Sequence, residues 1–341
     1  MIKLHNFLIA WGIFIFGAFV SWKINQWHYG APTFQVDKKH IEYSNYKKAI
    51  YPIASNLMLN EEKKKLGQLL FFDPRLSKNN DTSCATCHDL SNGGDDGLVC
   101  SKNSQGLKGD INAPTVFNSA FNFRQFWDGR ADTLEEQVNG PVTKHVEMNT
   151  TWPDIISKLK KDRGMVAFFK QQYPKQGISR YAISNSIAIF ERSLTTPNSR
   201  FDLFLKGEQS ALTAKEKQGY QLFKEIGCIS CHQGINMGGN FYEKLGVVND
   251  YFKDKGKITK ADLGRFNLTA DSDDKYEFKV PSLRNIALTA PYFHDGSAKT
   301  LEKAVNTMAY YQLGVKLKDN ERQQLVDFLK TLTGRYQGKA L

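Results

Sequence analysis

Two copies of one five-residue pattern, Cys84-Ala-Thr-Cys87-His88 and Cys228-Ile-Ser-Cys231-His232, constrain this chain more than anything else in it. Two thiols three positions apart can add across the two vinyl groups of one haem, and the histidine that follows can then ligate its iron. A single Cys-x-x-Cys without the histidine would read as a zinc knuckle or a redox dithiol. A zinc site would draw four ligands from both pairs and would have no use for a histidine directly after each second cysteine. The expectation is two covalently bound haem c groups, one on Cys84, Cys87 and His88, the other on Cys228, Cys231 and His232. Of the five cysteines this leaves Cys100, which has no partner for an internal disulfide and reads as a free structural thiol.

The two motifs stand about one domain's length apart in a chain of 341 residues, so two haem domains in tandem are expected. With 41% hydrophobic and 24% charged residues the composition is globular, and no long single-charge or Pro/Ser run suggests a disordered arm. The net charge of +11 comes from scattered lysines rather than a basic stripe with aromatics, which argues against nucleic acid. It leaves attraction to an acidic protein partner or a membrane surface, or simply a solvated basic face. At the N-terminus, Lys3 precedes a nearly uncharged stretch from Phe7 to Trp22, which reads as an export signal. That stretch is slightly short of the ~20 residues of a full span, and Gly17-Ala-Phe-Val-Ser21 is not a clean cleavage site. An uncleaved anchor is favoured over a removed signal, and the expected compartment is the periplasm, with tethering to the inner membrane if the segment stays.

The expected boundaries are 1–22 for the signal or anchor, 23–46 for a tether, 47–200 for the first haem domain and 201–341 for the second. Asn60 reads as an N-cap before Leu66, Leu69 and Leu70, with Asp73-Pro74 ending that helix. Thr213-Ala-Lys-Glu216 reads as a capping box whose helix stops at Gly227. These two openings echo each other, since Gly67-Gln-Leu-Leu-Phe71 parallels Gly219-Tyr-Gln-Leu-Phe223. Helical spacing also runs from Asp154 to Tyr173, from Ile178 to Leu194, and through Leu325, Phe328, Leu329 and Leu332. No run alternates as a strand, so the predicted fold is all-α: two tandem cytochrome c-like haem domains with long loops, the last helix closing a haem domain or packing back on the first one.

Several further stretches together resemble the bacterial di-haem cytochrome c peroxidases and the neighbouring methylamine-utilisation di-haem enzymes. They are Leu70-Phe-Phe-Asp-Pro-Arg-Leu76, Asn112-Ala-Pro-Thr-Val-Phe-Asn118, Gln125-Phe-Trp-Asp-Gly-Arg130, Gly140-Pro141, Val146-Glu-Met-Asn149, Asn236-Met-Gly-Gly239, Pro281-Ser-Leu-Arg-Asn285 and Pro291-Tyr-Phe-His294. The resemblance covers nearly everything after the tether. It implies an enzyme that reduces hydrogen peroxide to water with electrons from a small cytochrome c or cupredoxin, and a homodimer. The first haem, on His88, would be peroxidatic, and the second, on His232, would feed it electrons.

The resemblance also assigns residues. Met308 matches the sixth ligand of the second haem; on chemistry alone such a methionine is more often core, but a His/Met haem has a raised potential suited to holding an electron. Glu147, otherwise a surface carboxylate, would move a proton between the two peroxide oxygens, and Gln137 would hydrogen-bond the peroxide. Trp127 would bridge the haems. Asn112, Thr289 and Pro291 match positions that hold a calcium, whose hardness suits oxygen ligands. Where the family pattern has a histidine in the loop after the first motif, this chain has Ser104, and no histidine occurs between His88 and His145. The rivals are a plain di-haem electron carrier and a protein-modifying oxidase of the methylamine branch; that branch resembles a user of tyrosine where this chain has Met308.

Overall fold

Each half of the chain is built on one crossing of two helices. In the first half Glu61–Phe71 crosses Arg180–Ser193, and in the second Ala214–Glu225 crosses Asp319–Lys330. Both crossings are closed by a glycine. A Cβ on Gly67 would lie 1.9 Å from the carbonyl oxygen of Ser186, and one on Gly219 would lie 2.0 Å from that of Gln324. The echo between the two openings is therefore the echo of one contact: only glycine lets these backbones approach so closely. The computed structural model describes residues 49–55 and 57–341; the segments 1–22 and 23–46 lie outside the described residues.

Local chemistry sets the helix ends. The side chain of Asn60 accepts from the Lys63 amide at 2.9 Å, and the Thr213/Glu216 capping box is formed in both directions. The Ala214–Glu225 helix ends at Ile226, and Gly227 follows with a φ of 98°. The stretch from Asp154 to Tyr173 is two helices rather than one, Trp152–Lys160 and Arg163–Gln172. Asp162 divides them, because its carboxylate accepts from the Met165 amide at 3.0 Å and so starts a new helix.

Leu66, Leu70 and Phe71 pack with Ile183, Ile187 and Phe190 in the first core, while Phe201, Phe223, Leu325, Phe328 and Leu329 form the second. Burying each such side chain contributes about 1.5–3 kcal/mol. The fold is mostly helical, as expected, with two short ribbons that the sequence did not signal. Tyr242–Lys244 pairs antiparallel with Glu277–Lys279, and Arg335–Tyr336 with Lys339–Ala340.

The last helix stays in the second core, and the residues after it turn back to the first. The Arg335 amide donates to the Pro197 carbonyl at 3.0 Å, and the Tyr336 ring lies 5.1 Å from that of Phe117. The other end of the described chain crosses the opposite way. Ile50 packs in the second core, and the buried Arg284, paired with Asp202 at 2.7 Å, also donates to the Tyr51 carbonyl at 2.8 Å.

A second echo holds the two halves together. Asn112-Ala-Pro-Thr-Val-Phe-Asn118 parallels Lys279-Val-Pro-Ser-Leu-Arg-Asn285, and Phe126-Trp-Asp-Gly-Arg-Ala131 parallels Phe293-His-Asp-Gly-Ser-Ala298. Asn118 and Asn285 both take the left-handed conformation at φ 61° and open matching turns, Ser119–Phe121 and Ile286–Leu288. The halves then exchange equivalent hydrogen bonds. The Asn112 amide donates to the His294 carbonyl, and the Lys279 amide to the Trp127 carbonyl, each at 2.8 Å. At the same junction the Asn118 and Asn285 side-chain amides both donate to the Thr196 hydroxyl, at 2.7 and 3.0 Å.

Candidate haem sites and peroxide pocket

The two cysteine pairs open onto different cavities. Cys84, Cys87 and His88 line one of about 1470 Å³ counted with its open mouth. Cys228 and His232 line another of about 1260 Å³, which adjoins a smaller one that Cys231 also lines. The four thiols do not gather into a common metal cluster; among the described residues the one such group of His, Cys, Asp or Glu is Asp262, His294 and Asp295. There Lys255 pairs with Asp262 and, at 2.6 Å, with Asp295, and His294 Nε2 meets Asp262 at 2.7 Å, so the group is already served by an ammonium.

The histidines are oriented for iron. His88 Nδ1–H donates to the Gly94 carbonyl at 3.3 Å and His232 Nδ1–H to the Met237 carbonyl at 3.2 Å. A carbonyl only accepts, so Nδ1 carries the proton in each ring and Nε2 is left as the ligand atom. Burial pushes the His88 imidazolium down and that of His232 down to about 4, which favours the neutral rings that bind metal. Two large, mainly apolar spaces, the second formed with its smaller neighbour, each with two thiols and an anchored histidine, fit two covalently held haems.

The first cavity gathers the residues expected of a reaction site. Glu147 and Gln137 line it with His88. The Glu147 side chain is 31% exposed and 3.4 Å from the Lys144 ammonium, so it reaches solvent as well as the cavity. Ser104 does not line this cavity; its hydroxyl accepts from the Thr82 hydroxyl at 3.1 Å. The second cavity receives Met308 from the Leu301–Leu313 helix, alongside His232 and with Leu301, Ala304, Val305 and Ala309 on the same wall. Trp127 lines the cavities of both halves, its indole N–H donating to the Asn112 carbonyl at 2.9 Å.

Residues 61–210 match the family described as di-haem cytochrome c peroxidase, and residues 216–333 match cytochrome c. The chain is similar to the cytochrome c551 peroxidase of Nitrosomonas europaea, 43% identical over 288 residues that cover 84% of each chain. This chain belongs to the di-haem cytochrome c peroxidase family. Members of this peroxidase family are oxidoreductases with two covalently bound haem c groups. The cytochrome c peroxidase of Escherichia coli K12 is 48% identical over 288 residues, which cover 84% of this chain and 61% of that relative. Among solved structures, a MauG-like protein associated with microbial copper homeostasis superposes with a TM-score of 0.73 at 30% identity, covering 85% of this chain and 95% of that one.

In this di-haem fold Asn112, Thr289 and Pro291 come to the wall of one cavity, the second, and Asp95 joins them. The Asn112 amide nitrogen donates to the Leu98 carbonyl at 2.8 Å, which turns its oxygen elsewhere. Asp95 Oδ1 is buried without a hydrogen-bond partner, and burial pushes the carboxyl up to about 7. An orphaned oxygen beside these residues fits the chemistry of a hard cation. Three buried charged groups on these walls went unread in the sequence: Asp95, Lys279, and Glu191 of the Arg180–Ser193 helix, whose Oε2 is also buried and unpartnered. Lys279 had a signal, since it stands where Asn112 stands in the other half of the echo. Asp95 and Glu191 had none.

Proposed function

We propose that this chain reduces hydrogen peroxide to water in the first cavity, with electrons passed from a small cytochrome c or cupredoxin through the second. The observation that carries the reading is the division between the cavities: Glu147 and Gln137 accompany His88 in one, Met308 accompanies His232 in the other. Haem supplies the electron storage and the metal seat for peroxide. Gln137, whose amide has no hydrogen-bond partner among the described residues, orients the peroxide. Glu147 takes a proton from one peroxide oxygen and returns it to the other, so that the O–O bond breaks with water as the leaving group. Two electrons and two protons per peroxide then give two waters, and Trp127 packs the path between the cavities.

The remaining assignments belong to the same reading. Calcium is held by Asn112 and by the backbone carbonyls of Thr289 and Pro291, with the Asp95 carboxylate supplying charge, and metal analysis of the purified protein tests it. The protein works in the periplasm as a homodimer, tethered if its N-terminal segment is retained; cell fractionation and light scattering check these. No helix among the described residues is long and apolar enough to cross a membrane.

The test of function is steady-state peroxide consumption by the haem-loaded chain with a reduced small cytochrome c. The expected result is turnover with two cytochromes oxidised per peroxide. A protein that exchanges electrons with the cytochrome yet consumes no peroxide is an electron carrier, and the proposal fails. Ser104 adds a second arm: with its hydroxyl tied to Thr82 and no histidine in its loop, the first haem of the fully oxidised protein should be high-spin and bind cyanide readily. A wholly low-spin resting spectrum would show that another side chain caps the iron.

A further inference from the structure

Among the described residues, Lys279 is the one charged residue that lines the cavities of both halves. It ends the Glu277–Lys279 strand, is 7% exposed, and its backbone amide is fixed on the Trp127 carbonyl at 2.8 Å. Among the described residues its ammonium meets no carboxylate, no other hydrogen-bond acceptor and no aromatic ring, and desolvation alone pushes it down to about 8. A buried ammonium with no counter-charge is costly, and proteins keep one where a ligand brings the anion.

The internal echo says what kind of position this is. Lys279 of Lys279-Val-Pro corresponds to Asn112 of Asn112-Ala-Pro, and the two make equivalent hydrogen bonds to the opposite half, Asn112 to His294 and Lys279 to Trp127. In the first half this place carries an uncharged amide; in the second it carries a fixed positive charge beside the bridging tryptophan.

We propose that the Lys279 ammonium is the counter-ion of a haem propionate at the junction of the two cavities, a positioning residue that holds a haem edge against Trp127 and raises that haem's potential. A carboxylate is the anion that haem itself brings, and each haem carries two. The positive charge acts on potential because it disfavours the oxidised, more positive iron relative to the reduced one.

The proposal rests on the two-haem reading, and its test reads potentials rather than turnover, so the two can fail separately. In the haem-loaded full chain, Lys279→Met and Lys279→Arg are compared with wild type by spectroelectrochemical titration of both haems, with haem counted by pyridine haemochrome. With two haems attached, Lys279→Met should shift the reduction equilibrium of at least one haem toward the oxidised form by roughly tenfold, which is 59 mV for a one-electron couple. Lys279→Arg should stay near wild type. The haem whose midpoint falls is the one whose propionate the lysine holds. Should the methionine variant fail to load both haems, Lys279→Gln removes the charge while keeping a hydrogen-bonding side chain, and the same shift is expected. Unmoved midpoints in a charge-free variant with two haems would overturn the proposal, as would an equal fall in Lys279→Arg. Fewer than two haems in the wild type would overturn the two-haem reading and this inference with it.

Discussion

Met308 shows how a single side chain acquires its meaning from neighbours that are distant in sequence. On composition alone it is a core thioether, but the Leu301–Leu313 helix carries it into the cavity that His232 lines. A His/Met pair favours the reduced iron, so Met308→His should leave the haem attached and lower its potential enough that ascorbate no longer reduces it. Matching redox titrations of variant and wild type would make the methionine a packing residue. The cysteines and histidines of the two haem motifs were legible because their chemistry is complete within five consecutive residues. That Glu147, Gln137 and Trp127 would come together on the wall of the first cavity was legible through family resemblance. Asp95 and Glu191 were not, since an isolated charge reads as solvated until folding removes its solvent, and Lys279 was signalled only by its place opposite Asn112 in the internal echo.

At the scale of elements, Gly219 carries the second domain's central contact. An added Cβ would lie 2.0 Å from the Gln324 carbonyl oxygen and 2.9 Å from the Phe328 Cβ, and both belong to a rigid, packed helix. Gly219→Ala should therefore force the two helices apart and cost about 1–3 kcal/mol. Thermal denaturation of the haem-loaded protein checks this, and an unchanged melting temperature would mean that the crossing is looser than described. The capped helices were predictable because a cap is a local hydrogen bond, as at Asn60 and Thr213. The break at Asp162 was hidden by apolar spacing that continues through it. The ribbons were hidden by their length, two or three residues being too few to alternate.

At the scale of the molecule, the protein is two related halves that interlock through equivalent loops, and that interlock is what sets Trp127 beside both haem cavities. The tandem haem arrangement was legible in the sequence because each half repeats the same motif. The crossing of chain ends between cores was not, since Ile50 and Tyr336 contact residues far away in the chain. The central claim is that the first cavity performs acid–base chemistry on peroxide while the second supplies electrons. Its most direct test is peroxide turnover by haem-loaded Glu147→Gln, with reduced cytochrome as donor. The account predicts two haems per chain, unchanged potentials and a loss of turnover of about 10² or more. Turnover near that of the wild type would contradict it.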